Sequence, residues 1–240
     1  REGQRNIDAM VAAGVKPKAL FSPEHGIAGV EDHENIGHMK DAATGIPIWS
    51  LYAGKDRRPS EAMLRNIDVI VFDIQDIGAR FYTYMCTKKN AMEEAAKRNI
   101  QFMVLDRPNP VTGTRVEGPI LDPALNSFVG CFEMPLRHGM TIGEIASMMN
   151  AEQETKADLR VVKMQNWQRA DWFDSTGLIW VDPSPNMRSL NAALLYPGIG
   201  MLEYGKVYSV GRGTDAPFEQ VGADWMNGRV LADRLNARRI

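Results

Sequence analysis

Asp68-Val69-Ile70-Val71-Phe72-Asp73 is the stretch on which the fold turns. Its four apolar residues are consecutive rather than alternating, and an acidic residue closes the run. That is the pattern of a strand buried on both faces of a parallel sheet. Gln101-Phe102-Met103-Val104-Leu105-Asp106 repeats it, and Arg107-Pro108-Asn109-Pro110 ends it. Between the two, Phe81 to Arg98 reads as one long helix. Strand, helix, strand at this rhythm predicts βαβ units in an α/β fold, a mostly parallel sheet with helices on both faces.

Working outward, Ala19-Leu20-Phe21 reads as a short buried strand and Ile46-Pro47-Ile48-Trp49-Ser50-Leu51 as a second apolar run. Ile7, Met10, Val11 and Val15 recur at helical spacing, with Gly14 as the stop. Ser60 to Leu64 reads as a short helix after Pro59. Thr141-Ile142-Gly143-Glu144 has the form of a capping box, followed by a helix to about Asn150. Leu159 to Met164 is a further strand candidate. Val181-Asp182-Pro183-Ser184-Pro185-Asn186 reads as a proline-rich hinge, and Ser189 to Leu195 and Ala223 to Arg239 as helical. A domain boundary is placed near 187, giving units 1–187 and 188–240.

Composition bounds the function. The 240 residues carry 28 Lys+Arg against 30 Asp+Glu, so the net charge is −2. That balance gives no electrostatic reason for nucleic acid or an anionic membrane as partner. No apolar run approaches the ~18 residues of a membrane span. Two cysteines, Cys86 and Cys131, make neither a disulfide framework nor a CxxC metal site. The chain opens on Arg1-Glu2-Gly3 without an initiator Met and stops in a basic, helix-like segment. It reads as a piece of a longer protein, so the missing signal peptide carries nothing about localisation.

Three of the buried strands end in polar residues: Glu24 and His25, Asp73 and Asp76, and Asp106 with Arg107. In one parallel sheet these ends share an edge, and ligands of open α/β proteins bind there. Asp73 and Asp106 serve equally well as caps of the next turn or helix. Glu24 and Glu117 make a possible carboxylate pair, the minimal equipment for glycoside hydrolysis, with one acid and one ionised partner. Arg137 and His138 before the capped helix suit a carboxylate or phosphate. Arg212 lies in the glycine-flanked loop Gly211-Arg212-Gly213-Thr214-Asp215, an anion nest or a tight turn. Neither a GxGxxG nor a GxxxxGK[ST] motif is present, so a nucleotide cofactor lacks support. His25, His33 and His38 do not match zinc spacing, and their acidic loop, which includes Glu34, reads as a mobile lid.

Seven blocks stand in a fixed order. They are Ser22–Gly26, Phe72–Tyr84, Leu105–Pro110, Val116–Pro119, Arg137–Glu144, Pro183–Met187 and Gly211–Thr214. Together they resemble the bacterial exo-β-N-acetylmuramidase family, long catalogued as a domain of unknown function. The resemblance implies a Rossmann-like N-terminal domain without a nucleotide, a smaller C-terminal α/β domain, and an active site in the cleft between them. Against the family's usual length, the first strand and much of the second domain are absent. It implies removal of terminal N-acetylmuramic acid from the non-reducing end of peptidoglycan fragments, no cofactor or metal, and an exported protein. Under it Glu24 is the first candidate catalytic carboxylate, with His25 beside it and Glu117 second. Asp73 and Asp106 are alternates for the catalytic carboxylate or orient sugar hydroxyls, and Tyr82, Tyr84 and Trp180 pack on the sugar or in the core. Arg80, Arg137 and Arg212, with His138, are candidates for the lactyl carboxylate. Residues 203–209, with Lys206 and Tyr208, depart from the Asn-Xaa-Ser texture of the family before Gly-Arg-Gly-Thr. A non-catalytic sugar-binding module and a metal-dependent hydrolase built on His25, His33 and His38 are the competing classes.

Overall fold

In a computed structural model of the chain, residues 3–33 and 35–238 are described. Glu34 of the acidic loop, the first two residues and the last two lie outside them, and so does the Arg239 end of the expected last helix. In chain order the elements are α1 (Asn6–Ala12), β1 (Leu20–Ser22), β2 (Met39–Lys40), β3 (Pro47–Ser50), β4 (Val69–Phe72), α2 (Tyr84–Ala96), β5 (Gln101–Leu105), β6 (Glu117–Ile120), β7 (Pro135–Arg137), α3 (Ile142–Glu152), β8 (Leu159–Val162), α4 (Leu190–Glu203) and α5 (Gly228–Asn236).

The centre is a parallel sheet in the order β4-β5-β8. Val69 stands opposite Gln101 and Phe102 opposite Leu159. β4-α2-β5 and β5-α3-β8 are the two crossovers that parallel pairing requires. The main core gathers Ile70, Phe72, Phe102 and Val104 from the sheet under Met85, Met92 and Ala95 of α2 and Ile142, Ile145 and Met149 of α3. Burial in β4 alternates: Ile70 and Phe72 are inside, while Val69 and Val71 are 40% and 41% exposed. The expected two-sided cover is therefore corrected, because α2 and α3 both contribute to the core on the Ile70–Phe72 side.

β1 does not join that sheet. It pairs in parallel with β3, and β2 runs antiparallel on the other side of β3. Phe21 still packs against the main core, so the end of β1 stays close to it. β6 and β7 form a separate antiparallel pair.

Other expectations shift at element ends. Ser60–Leu64 is a series of turns, with Leu64 N–H bonded to the Ser60 carbonyl at 3.1 Å; so short a segment does not offset the cost of helix nucleation. α2 starts at Tyr84 rather than Phe81. α4 runs through Pro197 to Glu203, beyond the expected Leu195. α5 starts after Asn227, whose side chain accepts the Val230 amide. The Thr141 capping box is present in full.

Cys86 and Cys131 are joined in a disulfide across 45 positions, a pairing on which the sequence reading made no statement. The bond ties α2 to the loop before β7. Sequence spacing carries no trace of this pairing because the fold, not the chain, brings the two together.

Candidate active site

β1 delivers Ser22, then Pro23, Glu24, His25 and Gly26. His25 and Gly26 both take positive φ, 69° and 75°, so the chain turns sharply at the carboxyl end of the strand. Glu31 N–H bonds to the His25 carbonyl, and His25 Nδ1 donates to the Glu31 carbonyl at 2.7 Å, which closes loop 25–31 on itself. A carbonyl can only accept, so the ring proton sits on Nδ1. Asn186 donates to Asp32 at 3.2 Å and Arg212 lies 3.7 Å from it, so the acidic loop is tethered to later chain.

Glu24 is partly buried. Thr83 Oγ1 donates to its Oε2 at 2.5 Å. The Tyr84 hydroxyl donates to the Pro183 carbonyl at 2.5 Å and lies 3.3 Å from the Glu24 carbonyl. Glu24 is thus seated at the start of α2, where the helix dipole favours a carboxylate. Although β1 and β4 belong to different sheets, their carboxyl ends meet through this contact and through Phe21.

A second polar cluster is built from Asp76, Gly78 and His138. The Gly78 amide donates to Asp76 Oδ2 at 2.8 Å. His138 Nε2 faces the same oxygen at 3.2 Å, with both side chains buried. His138 Nδ1 accepts the Met140 amide, which leaves the ring proton on Nε2. A Cβ on Gly78, φ +84°, would stand 2.4 Å from Val111 Cγ2 and 2.7 Å from Asn109 Oδ1, so only glycine fits there. Lys88 of α2 is fully buried, and its Nζ donates to the Ile142 carbonyl at 2.9 Å. Burial pushes its pKa down to about 7, against the pull of Asp76 and Asp106.

Asp73 pairs with Arg107 at 2.5 Å and also accepts from Asn6. Asp106 accepts from Thr141 Oγ1 at 2.9 Å and from the Gly143 amide at 2.8 Å, so it caps α3. Burial raises the Asp106 pKa against these donors. The partners of both aspartates are those of the plainer of their two expected roles, a place in the frame. Tyr82 and Tyr84 are 7% and 3% exposed and stack edge-on at 4.9 Å in a second core cluster with Met187 and Phe218. Of the two placements expected for Tyr82, sugar face or core, these contacts are those of the core. Trp180 packs partly buried against the same cluster.

The arginines differ in their partners. Glu117 and Arg137 face each other across β6 and β7 in a 2.7 Å ion pair, and Arg137 also donates to the Val111 carbonyl. Arg212 pairs with Glu203 and sits over Phe218. Arg80 donates to two backbone carbonyls, Pro119 at 2.7 Å and Met134 at 2.5 Å. Among the described residues no carboxylate pairs with it, and burial lowers its pKa. Arg80 is thus the predicted arginine whose charge is not already matched.

The histidines do not converge. His38 Nδ1 accepts the Ser50 amide and its ring sits edge-on to Trp49, and His33 pairs with Glu31. Among the described residues no group of three or more His, Cys, Asp or Glu is placed to hold a metal. No described helix is long and apolar enough to cross a membrane.

A groove of about 540 Å³ opens beside loop 25–31, walled by Val30, Trp180, Val181, Asp182 and Pro185. A second, of about 530 Å³, lies among Arg65, Asn66, Lys97 and Arg98, at the amino ends of β4 and β5. Ligands of open α/β sheets bind at the carboxyl ends, which favours the first groove, although Glu24, His25 and Arg80 are not among its walls.

Lys88 and Thr83 escaped the sequence reading. Lys88 falls on the stripe of Met85, Met92 and Ala95, so helical period was the signal that it points inward. Thr83 precedes a helix without an acidic third residue, a weak signal that its hydroxyl is used elsewhere.

Fold and site define an α/β protein with a carboxylate held at the carboxyl ends of two sheets. Residues 1–191 match the family model described as exo-beta-N-acetylmuramidase NamZ, N-terminal, and residues 194–240 match its C-terminal counterpart. The chain belongs to the NamZ family. It is 50% identical over 224 residues, 93% of its length, to the peptidoglycan beta-N-acetylmuramidase NamZ of Bacillus subtilis (strain 168), and spans 54% of that protein. Two crystal structures of DUF1343 family proteins from Bacteroides fragilis NCTC 9343 are similar. The first has a TM-score of 0.90 at 42% identity, covering 99% of this chain and 61% of that one. The second has a TM-score of 0.78 at 35% identity, covering 95% and 60%.

Proposed function

We propose that the protein is an exo-β-N-acetylmuramidase, a glycoside hydrolase that releases terminal N-acetylmuramic acid from the non-reducing end of peptidoglycan fragments during cell-wall turnover. Its substrates are then peptidoglycan-derived muramyl saccharides. The observation that carries this reading is the Glu24 carboxylate, held by Thr83 at the carboxyl end of β1 in a chain of the NamZ family. Glu24 exchanges a proton at the scissile glycosidic bond, as a positioned carboxyl group does in glycoside hydrolysis. His25, in the same turn, has its Nδ1 committed to Glu31 and keeps Nε2 for a sugar hydroxyl. Arg80 meets the lactyl carboxylate that distinguishes muramic acid from other amino sugars, because a planar guanidinium pairs bidentately with a carboxylate.

The test is turnover of a chromogenic muramoside by the full-length protein. Glu24→Gln is expected to abolish release while the thermal melt stays that of the wild type. Absence of muramoside turnover by the wild type overturns the reading, and near wild-type turnover by the variant removes Glu24 from the catalytic role. Export to the periplasm or medium accompanies the proposal. The Cys86–Cys131 disulfide supports it, since such bonds persist in oxidising compartments and are rare in the cytosol. Fractionation with thiols blocked at lysis checks it, and a reduced, cytosolic protein would refute export.

A further inference from the structure

We propose that Thr83 is a positioning residue for Glu24: its hydroxyl occupies one carboxylate oxygen and so determines which oxygen meets the substrate. This rests on the reading of Glu24 as the catalytic carboxylate.

Thr83 stands directly before α2, at the position where Ser, Thr or Asn ordinarily turns its side-chain oxygen onto the helix's own free amides. Thr141, Ser189 and Asn227 do this at the starts of α3, α4 and α5. Thr83 does not. It has helical backbone angles and makes no side-chain cap bond. Its hydroxyl instead reaches a residue 59 positions earlier and donates to Glu24 Oε2 at 2.5 Å. The helix gives up a cap, and the carboxylate gains a fixed donor.

The donor is itself held. Tyr84, next in the chain, is 3% exposed, and its hydroxyl bonds to Pro183 within 3.3 Å of the Glu24 carbonyl. Upstream, the turn at Gly78 is pinned by Asp76, and Arg80 N–H bonds to the Leu136 carbonyl at 2.8 Å. The segment from 78 to 84 is therefore stationary on both sides of Thr83. A Glu side chain has three free torsions, and a hydrogen bond to its end removes most of that freedom. With Oε2 engaged, Oε1 is the oxygen that remains to exchange a proton with the glycosidic oxygen. Preorganisation of this kind acts on kcat rather than on substrate affinity.

The experiment compares Thr83→Val, Thr83→Ser and Glu24→Gln in the full-length protein with a chromogenic muramoside. Val keeps the shape and removes the donor, and Ser keeps the donor. Thr83→Val is expected to lower kcat by about 10–100-fold with KM nearly unchanged, and Thr83→Ser to restore most of it. Since Thr83 makes no cap bond, the melting temperature of the Val variant should stay close to the wild type. A kcat for Thr83→Val equal to wild type, with Glu24→Gln inactive, overturns this inference and leaves the proposed function standing. An active Glu24→Gln overturns the reading of Glu24 as the catalytic carboxylate, and any catalytic consequence of Thr83 with it. A crystal structure of Thr83→Val reads the positioning without activity: the Glu24 carboxylate should leave its present rotamer, and an unmoved carboxylate refutes the role.

Discussion

Lys88 Nζ lies 2.9 Å from the Ile142 carbonyl, deep between α2 and the start of α3. With its pKa pushed down to about 7, the folded protein releases a proton there that the unfolded chain keeps until near 10.5. Between those values the unfolded state binds more protons, so this group makes stability rise with pH, by up to about 1.4 kcal/mol per pH unit. Below about pH 7 both states hold the proton and the slope vanishes. Chemical unfolding at pH 7 and at pH 9.5 should show the gain in the wild type. Lys88→Met should remove it, and an equal gain in both proteins would contradict the assignment.

The Cys86–Cys131 bond closes a loop of 45 positions. Cross-linking over such a span restricts the unfolded chain and is worth about 2–4 kcal/mol. Cys86→Ser with Cys131→Ser should lower the melting temperature by several degrees. Dithiothreitol should lower that of the wild type and leave the double variant unchanged, as read by calorimetry.

Arg80 is the substrate-selectivity residue in the proposed function, because its charge has no carboxylate partner among the described residues. Arg80→Lys should lower kcat/KM for a muramoside by about tenfold or more, since an ammonium does not reproduce the bidentate fork. A matched N-acetylglucosaminide lacks the lactyl carboxylate and should lose much less. Equal losses on both substrates would place Arg80 in the frame alone.

Glu117 carries its charge in a cross-strand pair with Arg137, and its side chain is 55% exposed. A pair of this exposure contributes less than about 1 kcal/mol. Glu117→Gln should keep muramoside turnover close to wild type, in contrast to Glu24→Gln. Loss of turnover on the scale of Glu24→Gln would make Glu117 the second catalytic carboxylate.

What the chain revealed on inspection was local. β4, β5, α2 and the α3 cap follow from apolar runs and from Thr141 and Glu144 at fixed spacing, which are properties of a few neighbouring residues. The pairing of β1 with β3 rather than with β4 is a long-range choice, and an apolar triplet does not encode its neighbour. The same holds for Cys86 with Cys131 and Thr83 with Glu24. The site residues were legible as types at strand ends. Their roles were not, because Asp73, Asp106 and Arg137 look alike whether they face a ligand or one another. Only the partner of each, Arg107, Gly143 or Glu117, separates the frame from the chemistry.

The tether from Asn186 to Asp32 spans 154 positions, and that from Tyr84 to Pro183 spans 99. Long-range contacts form late, since loop closure must be met before they repay it. The turn bearing Glu24 cannot take its final surroundings until residues 183–186 have been synthesised and docked. The candidate site is therefore assembled from segments made far apart in time, and a nascent chain carries it unassembled until residues 183–186 have emerged.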